Sequence, residues 1–237
     1  MPETVKSIDQ KENFRTRVAR EKRERMRELL LEAALDVYHP EEKKQAVVID
    51  DIIKKAGVSR GSFYKYFQSL EQLSQQLGKK LADEMIVSYQ KLFSNSDKEL
   101  VKITGGTVIT LARAAMDPRW GVFTSNIDFI EHLSESNPLF SIITDALEKA
   151  RDEKILQFNS IEVASDMLTG ATVGATKRLA HGEKHPKAYI VEMTRICMAG
   201  LGMSSENAER GIQEAWEVLE NSTDQLYWWK SLDTQQP

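Results

Sequence analysis

From Arg25 onward, apolar residues recur at spacings of three and four, the period of one helix face. Met26, Leu29, Leu30, Ala33, Ala34 and Val37 form the first such face, and Pro40 with the polar run 41–45 ends it. Ile49, Ile52, Ile53 and Ala56 make a shorter second face, stopped by Gly57, a residue that accepts a left-handed backbone. Ser59 is placed to cap a third helix over 60–66, with Phe63 and Phe67 on one side. Ser69, with Gln72 three residues on, opens a fourth helix running toward Phe93. Further helices are expected near 97–115, 122–136, 138–156, 160–181, 187–201 and 205–221. The breaks between them fall at Asp117-Pro118, Asn137-Pro138, Asn159-Ser160, His185-Pro186 and Gly202. No strand alternation and no fixed-period repeat competes with this pattern, so the expected fold class is all-α.

Composition narrows the class. The chain is 41% hydrophobic and 29% charged, ordinary values for a globular protein. No apolar run approaches the ~18 residues of a membrane span, and the charged N-terminus does not read as a secretory leader. A single cysteine, Cys197, excludes an intrachain disulfide and suits a reducing cytoplasm. The net charge of −4 hides an asymmetry. Residues 1–80 hold 17 basic and 13 acidic side chains, net +4; residues 81–237 hold 15 and 23, net −8. Arg15, Arg17, Arg20, Lys22, Arg23, Arg25 and Arg27 crowd one short stretch. A basic end on an acidic body points to a polyanion partner at that end, the alternative being a solvated arm. The expected organisation is a flexible basic arm over 1–20, a reading domain over 21–68, a larger helical domain over 69–223 and a tail over 224–237.

Two short helices joined by Ala56-Gly57-Val58-Ser59 have the layout of a helix-turn-helix. Stepping 100° per residue turns Gly61, Ser62, Tyr64 and Lys65 away from Phe63 and Phe67, with Arg60 at the start. That face is small, polar and basic: Ser62 and Tyr64 offer donors to phosphate, Arg60 and Lys65 reach phosphates or guanine edges, and Gly61 permits close approach. The run Ala56-Gly57-Val58-Ser59-Arg60-Gly61-Ser62-Phe63-Tyr64-Lys65-Tyr66-Phe67, followed by Ser69, Glu71 and Leu73, resembles the DNA-binding signature of the TetR family of bacterial transcriptional regulators. The likeness covers about residues 25–73. It implies a homodimer that binds double-stranded operator DNA through Ser59, Arg60, Gly61, Ser62, Tyr64, Lys65 and Tyr66, with Arg25 at the flank. Two positions depart from the family's habit: Val48 stands where Thr is common and Leu70 where Lys is common, and each loses a phosphate contact. The basic arm is expected to compensate.

The acidic remainder is expected to dimerise and to sense a ligand. Gly170, Ala171 and Gly174 make a small face on one helix, and Ile190, Thr194 and Cys197 lie on the next. Such a pair could form a four-helix bundle across a two-fold axis, the alternative being packing within one chain. The resemblance implies a small-molecule effector in the middle of the chain, where Tyr89, Arg113, Trp120, Phe123, Asn126, Phe129 and His132 are the candidate contacts; core packing is the competing role for the aromatic ones. His39, His132, His181 and His185 show no metal spacing with Cys197, and neither a phosphate loop nor a nucleophile elbow is present. No metal, no cofactor and no catalytic activity are expected. Tyr227-Trp228-Trp229 is expected to fold back on the body. The expected function is therefore a ligand-released repressor in the cytoplasm, associated with the nucleoid. The alternative within the same resemblance is a DNA-bound interaction protein of the nucleoid-occlusion type that has no inducer.

Overall fold

The computed structural model describes residues 14–38, 47–126 and 138–229. Phe129, His132, His39 and most of the expected helix 122–136 lie outside them. Among the described residues all regular structure is helical: α1 (Phe14–Val37), α2 (Ile49–Ala56), α3 (Arg60–Tyr64), α4 (Leu70–Phe93), α5 (Glu99–Met116), α6 (Pro118–Thr124), α7 (Pro138–Asp152), α8 (Ile161–Ala180), α9 (Pro186–Gly200) and α10 (Ser205–Glu220), with a 3-10 turn over Thr223–Gln225.

The boundaries follow local chemistry. Ser59, Ser69, Ser160 and Ser204 each accept a bond from the backbone N–H three residues on, and Asp117 does the same for Trp120. Pro118 and Pro186 occupy the first helical position, where no N–H is needed. Gly57 ends α2 at φ 65°, and its carbonyl-seeking N–H tightens the turn into α3.

Helix α1 corrects the expectation of a flexible arm through residue 20, because it is already helical from Phe14. That stretch lacks an apolar face, so periodicity does not reveal it. Strong helix formers and Arg–Glu pairs four apart support it instead: Arg17–Glu21, Arg20–Glu24 and Glu21–Arg25. Leu29, expected on the buried face, is exposed, while Leu31 and Leu35 are buried with Leu30 and Ala34. The far end of α1 is wrapped on several sides, by the reading domain, α4 and α6, so its buried surface is wider than one stripe.

Helix α5 is the axis of the body. Fifteen of its residues, Glu99 to Met116, are buried, and α4, α6, α7, α8, α9 and α10 all pack around it. Helix α10 approaches closely because Gly211 has no side chain. A Cβ there would lie 2.9 Å from Thr104 Cγ2, and the Thr104 hydroxyl donates to the Gly211 carbonyl at 2.9 Å. The C-terminal segment folds back on the body: Leu226 and Trp228 are buried, and Trp229 packs beside them.

Candidate DNA-binding surface and ligand cavity

Ile52, Phe63 and Phe67 are fully buried and join Leu30, Leu31 and Ala34 of α1 in one cluster, so α2 and α3 are held as a unit. Ser59 fixes the start of α3, accepting from the Ser62 N–H at 3.2 Å, and its hydroxyl pairs with that of Ser62 at 3.0 Å. Arg60, Gly61, Tyr64 and Lys65 then stand exposed on one surface beside Ser59, while Ser62 is half-buried. Tyr66, also expected at the DNA surface, is half-buried like Ser62 and packs in part against the core. Arg25 is exposed and pairs with Glu21 at 3.9 Å. The Arg60 guanidinium sits 3.0 Å from Asp50. The Tyr64 hydroxyl and the Asp50 carboxylate both favour its charged form and raise its pKa.

The two departures from the family's habit have structural counterparts. Val48 offers no hydroxyl to cap α2, and its backbone N–H is taken instead by the Asp51 carboxylate at 3.2 Å. Leu70 packs against the core, so that position serves the joint between reading domain and body. Gln72 closes the start of α4 by accepting from the Gln68 N–H at 2.6 Å, one residue before the position a capping box would use.

A cavity of about 160 Å³ opens in the body between α4, α5, α6, α7 and α8. Its wall is mostly hydrocarbon, from Leu81, Met85, Ile103, Ile143 and Leu168, with Trp120 from α6. Tyr89 and Trp120 are the expected ligand contacts that line it. Phe123 is buried instead against Tyr38, just past the end of α1, ring edge to ring face, 5.0 Å between centroids. Asn126 is exposed and lies off the cavity wall. Arg113 also misses the cavity. It is 1% exposed; its Nη2 donates to Glu84 at 2.8 Å and to the Tyr227 hydroxyl at 2.9 Å, and Trp120, Tyr227 and Trp228 surround its guanidinium. Its Nε and Nη1 have no hydrogen-bond partner. Desolvation of the Tyr227 hydroxyl beside Arg113, and then its bond to Glu84, raise the pKa of the phenol, although the residue as a whole is 74% exposed.

Helix α6 joins the cavity to the reading domain. Trp120 and Thr124 face the cavity. Arg119, just ahead of them on α6, bonds Glu32 at 3.0 Å and also Asp36, both on α1, and Asp36 in turn pairs with Lys55 of α2 at 3.4 Å. Burial alone would lower the Arg119 pKa, but bonds to Asp36, Asp117 and Glu32 outweigh it and raise it. Lys80 of α4 pairs with Glu28 of α1 as a second tie.

The expected dimer residues divide. Gly170 and Gly174 are exposed on α8 with nothing within 4 Å of a Cβ built on either, and Ala171 is half-buried. Ile190, Thr194 and Cys197 do not reach the surface. They turn into the chain's own core, because α9 packs on α5, α8 and α10 through that face. The surface that α9 leaves open carries Ala188, Glu192, Ile196 and Ala199, with Ile196 58% exposed, and α8 adds Val163 at 68%. Burial raises the Cys197 thiol pKa and leaves it unreactive. Among the described residues, no three His, Cys, Asp or Glu side chains are grouped to hold a metal ion, and no helix is long and apolar enough to cross a membrane.

Comparison with known proteins bears on both regions. Residues 45–77 match the family model of bacterial regulatory proteins, tetR family. No curated protein matches the chain in sequence. Several solved structures share the fold. RolR in complex with the ligand resorcinol is 18% identical with a TM-score of 0.63, over 81% of this chain and 95% of its own. The TetR family protein CprB from S. coelicolor A3(2) is 16% identical with a TM-score of 0.63, over 84% and 98%. The fatty acid degradation regulator FadR from Bacillus halodurans is 16% identical with a TM-score of 0.63, over 76% and 97%. Residues 45–77 thus carry a tetR-family DNA-binding segment, and the chain as a whole shares the fold of solved TetR-family structures.

Proposed function

We propose that the protein is a transcriptional repressor that binds a palindromic operator as a homodimer and is released by a small molecule entering the cavity in its body. The observation that carries the DNA reading is the exposed set Arg60, Gly61, Tyr64 and Lys65, held on α3 by a buried aromatic pair. These are the residue types that contact phosphates and base edges from a helix in the major groove. Two such helices on a two-fold axis meet successive half-sites ~34–36 Å apart. Arg27 of α1, with its guanidinium 5.9 Å from the centre of the Phe67 ring, adds a cation near them.

Dimerisation through α8 and α9 is supported by the small and apolar surface of Val163, Gly170, Gly174, Ala188, Ile196 and Ala199. Ile196→Glu places a charge at its centre; sedimentation should then show monomer at concentrations where the parent is dimeric, and an unchanged dimer refutes this interface.

Release rests on differential affinity: the effector must bind the DNA-incompetent arrangement more tightly, since equal affinity shifts nothing. Helices α4 and α6 both line the cavity and both tie to α1, so a ligand that parts them moves the reading domain. RolR's complex with resorcinol shows that a chain of this fold holds a small organic ligand. The cavity favours this reading over an interaction protein without an inducer. The test is sequencing of genomic fragments selected by the purified protein at two salt concentrations. A few palindromes beside promoters support a local repressor. Many dispersed sites support the interaction protein, and no enrichment at either salt refutes sequence-specific binding.

A further inference from the structure

The cavity wall carries information about its occupant, beyond the reading that an effector exists, on which this inference rests. Lys102 is the charged residue among those lining it, and its ammonium is already taken by Glu99 at 2.7 Å. Glu99 is itself buried and is bonded by Lys149 as well. Among the described residues the wall therefore presents no unpaired charge to balance an ionic ligand, and burying an unpaired ion is heavily unfavourable.

The other polar side-chain groups are hydroxyls and the Trp120 indole N–H, a buried donor without a partner that can meet a ligand oxygen. Thr110 donates to the Gly106 carbonyl at 2.8 Å and Thr124 to the Trp120 carbonyl at 2.8 Å. Their protons are committed to their own helices, which leaves oxygen lone pairs as acceptors. Thr169 on the opposite wall has a buried hydroxyl with no partner at all. Tyr89 reaches the Lys102 carbonyl only at 3.4 Å. Burial, reinforced by the Glu99 charge, pushes its pKa up to about 12, so it stays a neutral phenol.

We infer that the cavity takes an uncharged, largely hydrocarbon or aromatic molecule carrying hydroxyl groups, whose protons are received by threonine oxygens of α5 and α6. A carboxylate or an ammonium on the same frame is rejected for want of a counter-charge. The hydrocarbon without a hydroxyl binds more weakly, because it leaves the threonine acceptors unpaired.

The full-length protein is titrated with N-phenyl-1-naphthylamine, a neutral probe that fluoresces in apolar surroundings. Competitors of one frame follow: 4-phenylphenol, biphenyl, 4-phenylbenzoate and 4-phenylbenzylamine. Ala146→Phe and Thr172→Phe each fill the cavity from a different helix, and circular dichroism identifies which of them folds. The expected result is probe fluorescence in the parent and not in the filled variant. Displacement by 4-phenylphenol should need at least tenfold less compound than by the carboxylate or the amine, and several-fold less than by biphenyl. Thr124→Val should narrow the gap between 4-phenylphenol and biphenyl while leaving the response to biphenyl intact. If the carboxylate or amine displaces the probe as well as the phenol, or biphenyl matches the phenol, the inferred class is wrong and the effector cavity stands. If the filled variant keeps the parent's fluorescence, the cavity holds no ligand, and effector sensing at this place fails with it.

Discussion

Glu84 and Arg113 form a pair whose two halves should not be equally costly to remove. Arg113 is 1% exposed and has one carboxylate neighbour, Glu84 at 2.8 Å, which is 25% exposed. Glu84→Gln leaves a guanidinium buried with no anion, already short of partners at Nε and Nη1. Breaking a buried pair in this way costs about 3–5 kcal/mol. Arg113→Met removes the buried charge together with its two unpartnered N–H groups. It leaves behind a carboxylate that water can partly reach and that still receives the Tyr227 hydroxyl. The losses are charge-assisted bonds at about 1.5–3 kcal/mol and ring contacts at about 0.5–2 kcal/mol. Relief of the two unpartnered donors offsets part or all of this, so the net loss should be smaller than that of Glu84→Gln. The double variant should be no worse than Arg113→Met alone, because the glutamine no longer faces an orphaned cation. Urea unfolding at one fixed protomer concentration measures all three, since dimer stability depends on concentration. A milder effect of Glu84→Gln than of Arg113→Met, or additive losses in the double variant, would refute the account.

Other outcomes follow from features already described. Lys65→Ala should weaken binding to every DNA sequence alike and lower the slope of log affinity against log salt by about one; a change confined to one base position would show that Lys65 reads sequence instead. Gly211→Ala should cost a net ~1–2 kcal/mol in unfolding, because overpacking against Thr104 and Leu100 exceeds the gain in helix propensity. Gly174→Ala, open within the protomer, should leave the fold intact and weaken only self-association, read by dilution in sedimentation. Burial acts to raise the Glu99 pKa, but Lys102 and Lys149 outweigh it and hold the carboxyl below its ordinary range. A depressed folded value means the stabilisation is present above the unfolded pKa, about 4.3, and is lost as pH falls below it. Glu99→Gln should therefore flatten the acid limb of a stability–pH curve, and an unchanged limb would remove Glu99 from the explanation.

The sequence is most legible where one residue settles a local question. Gly57, Ser59, Ser69 and Pro186 each mark a boundary by their own backbone needs, and the structure places those boundaries accordingly, whereas Pro118, expected in a break before a helix from 122, is itself the first residue of α6. The reading helix is equally local, since five residues and two buried rings define its faces. Periodicity says nothing about the N-terminal half of α1, whose support is charge pairing rather than an apolar stripe. It also cannot say which neighbour an apolar face meets. Ile190, Thr194 and Cys197 have the pattern of an interface and are spent inside the chain. The cavity is less legible still, because its wall comes from five helices spread over residues 81–176. Arg113 looks like a ligand contact from its place in the chain. Its partners are Glu84 on α4 and Tyr227 in the tail, and no spacing rule joins them.

That clasp has a consequence for the life of the molecule. Arg113 ties α5 to α4 through Glu84 by itself, but its guanidinium is covered only when Tyr227 and Trp228 arrive from the far end of the described chain. A nascent chain, or one clipped ahead of Leu226, thus has a folded DNA-reading end on a body that lacks its last fastening. Such a fragment should still compete for operator sites while its response to effector is loosened. A protease that trims this segment would loosen the body while leaving every residue proposed to meet DNA untouched.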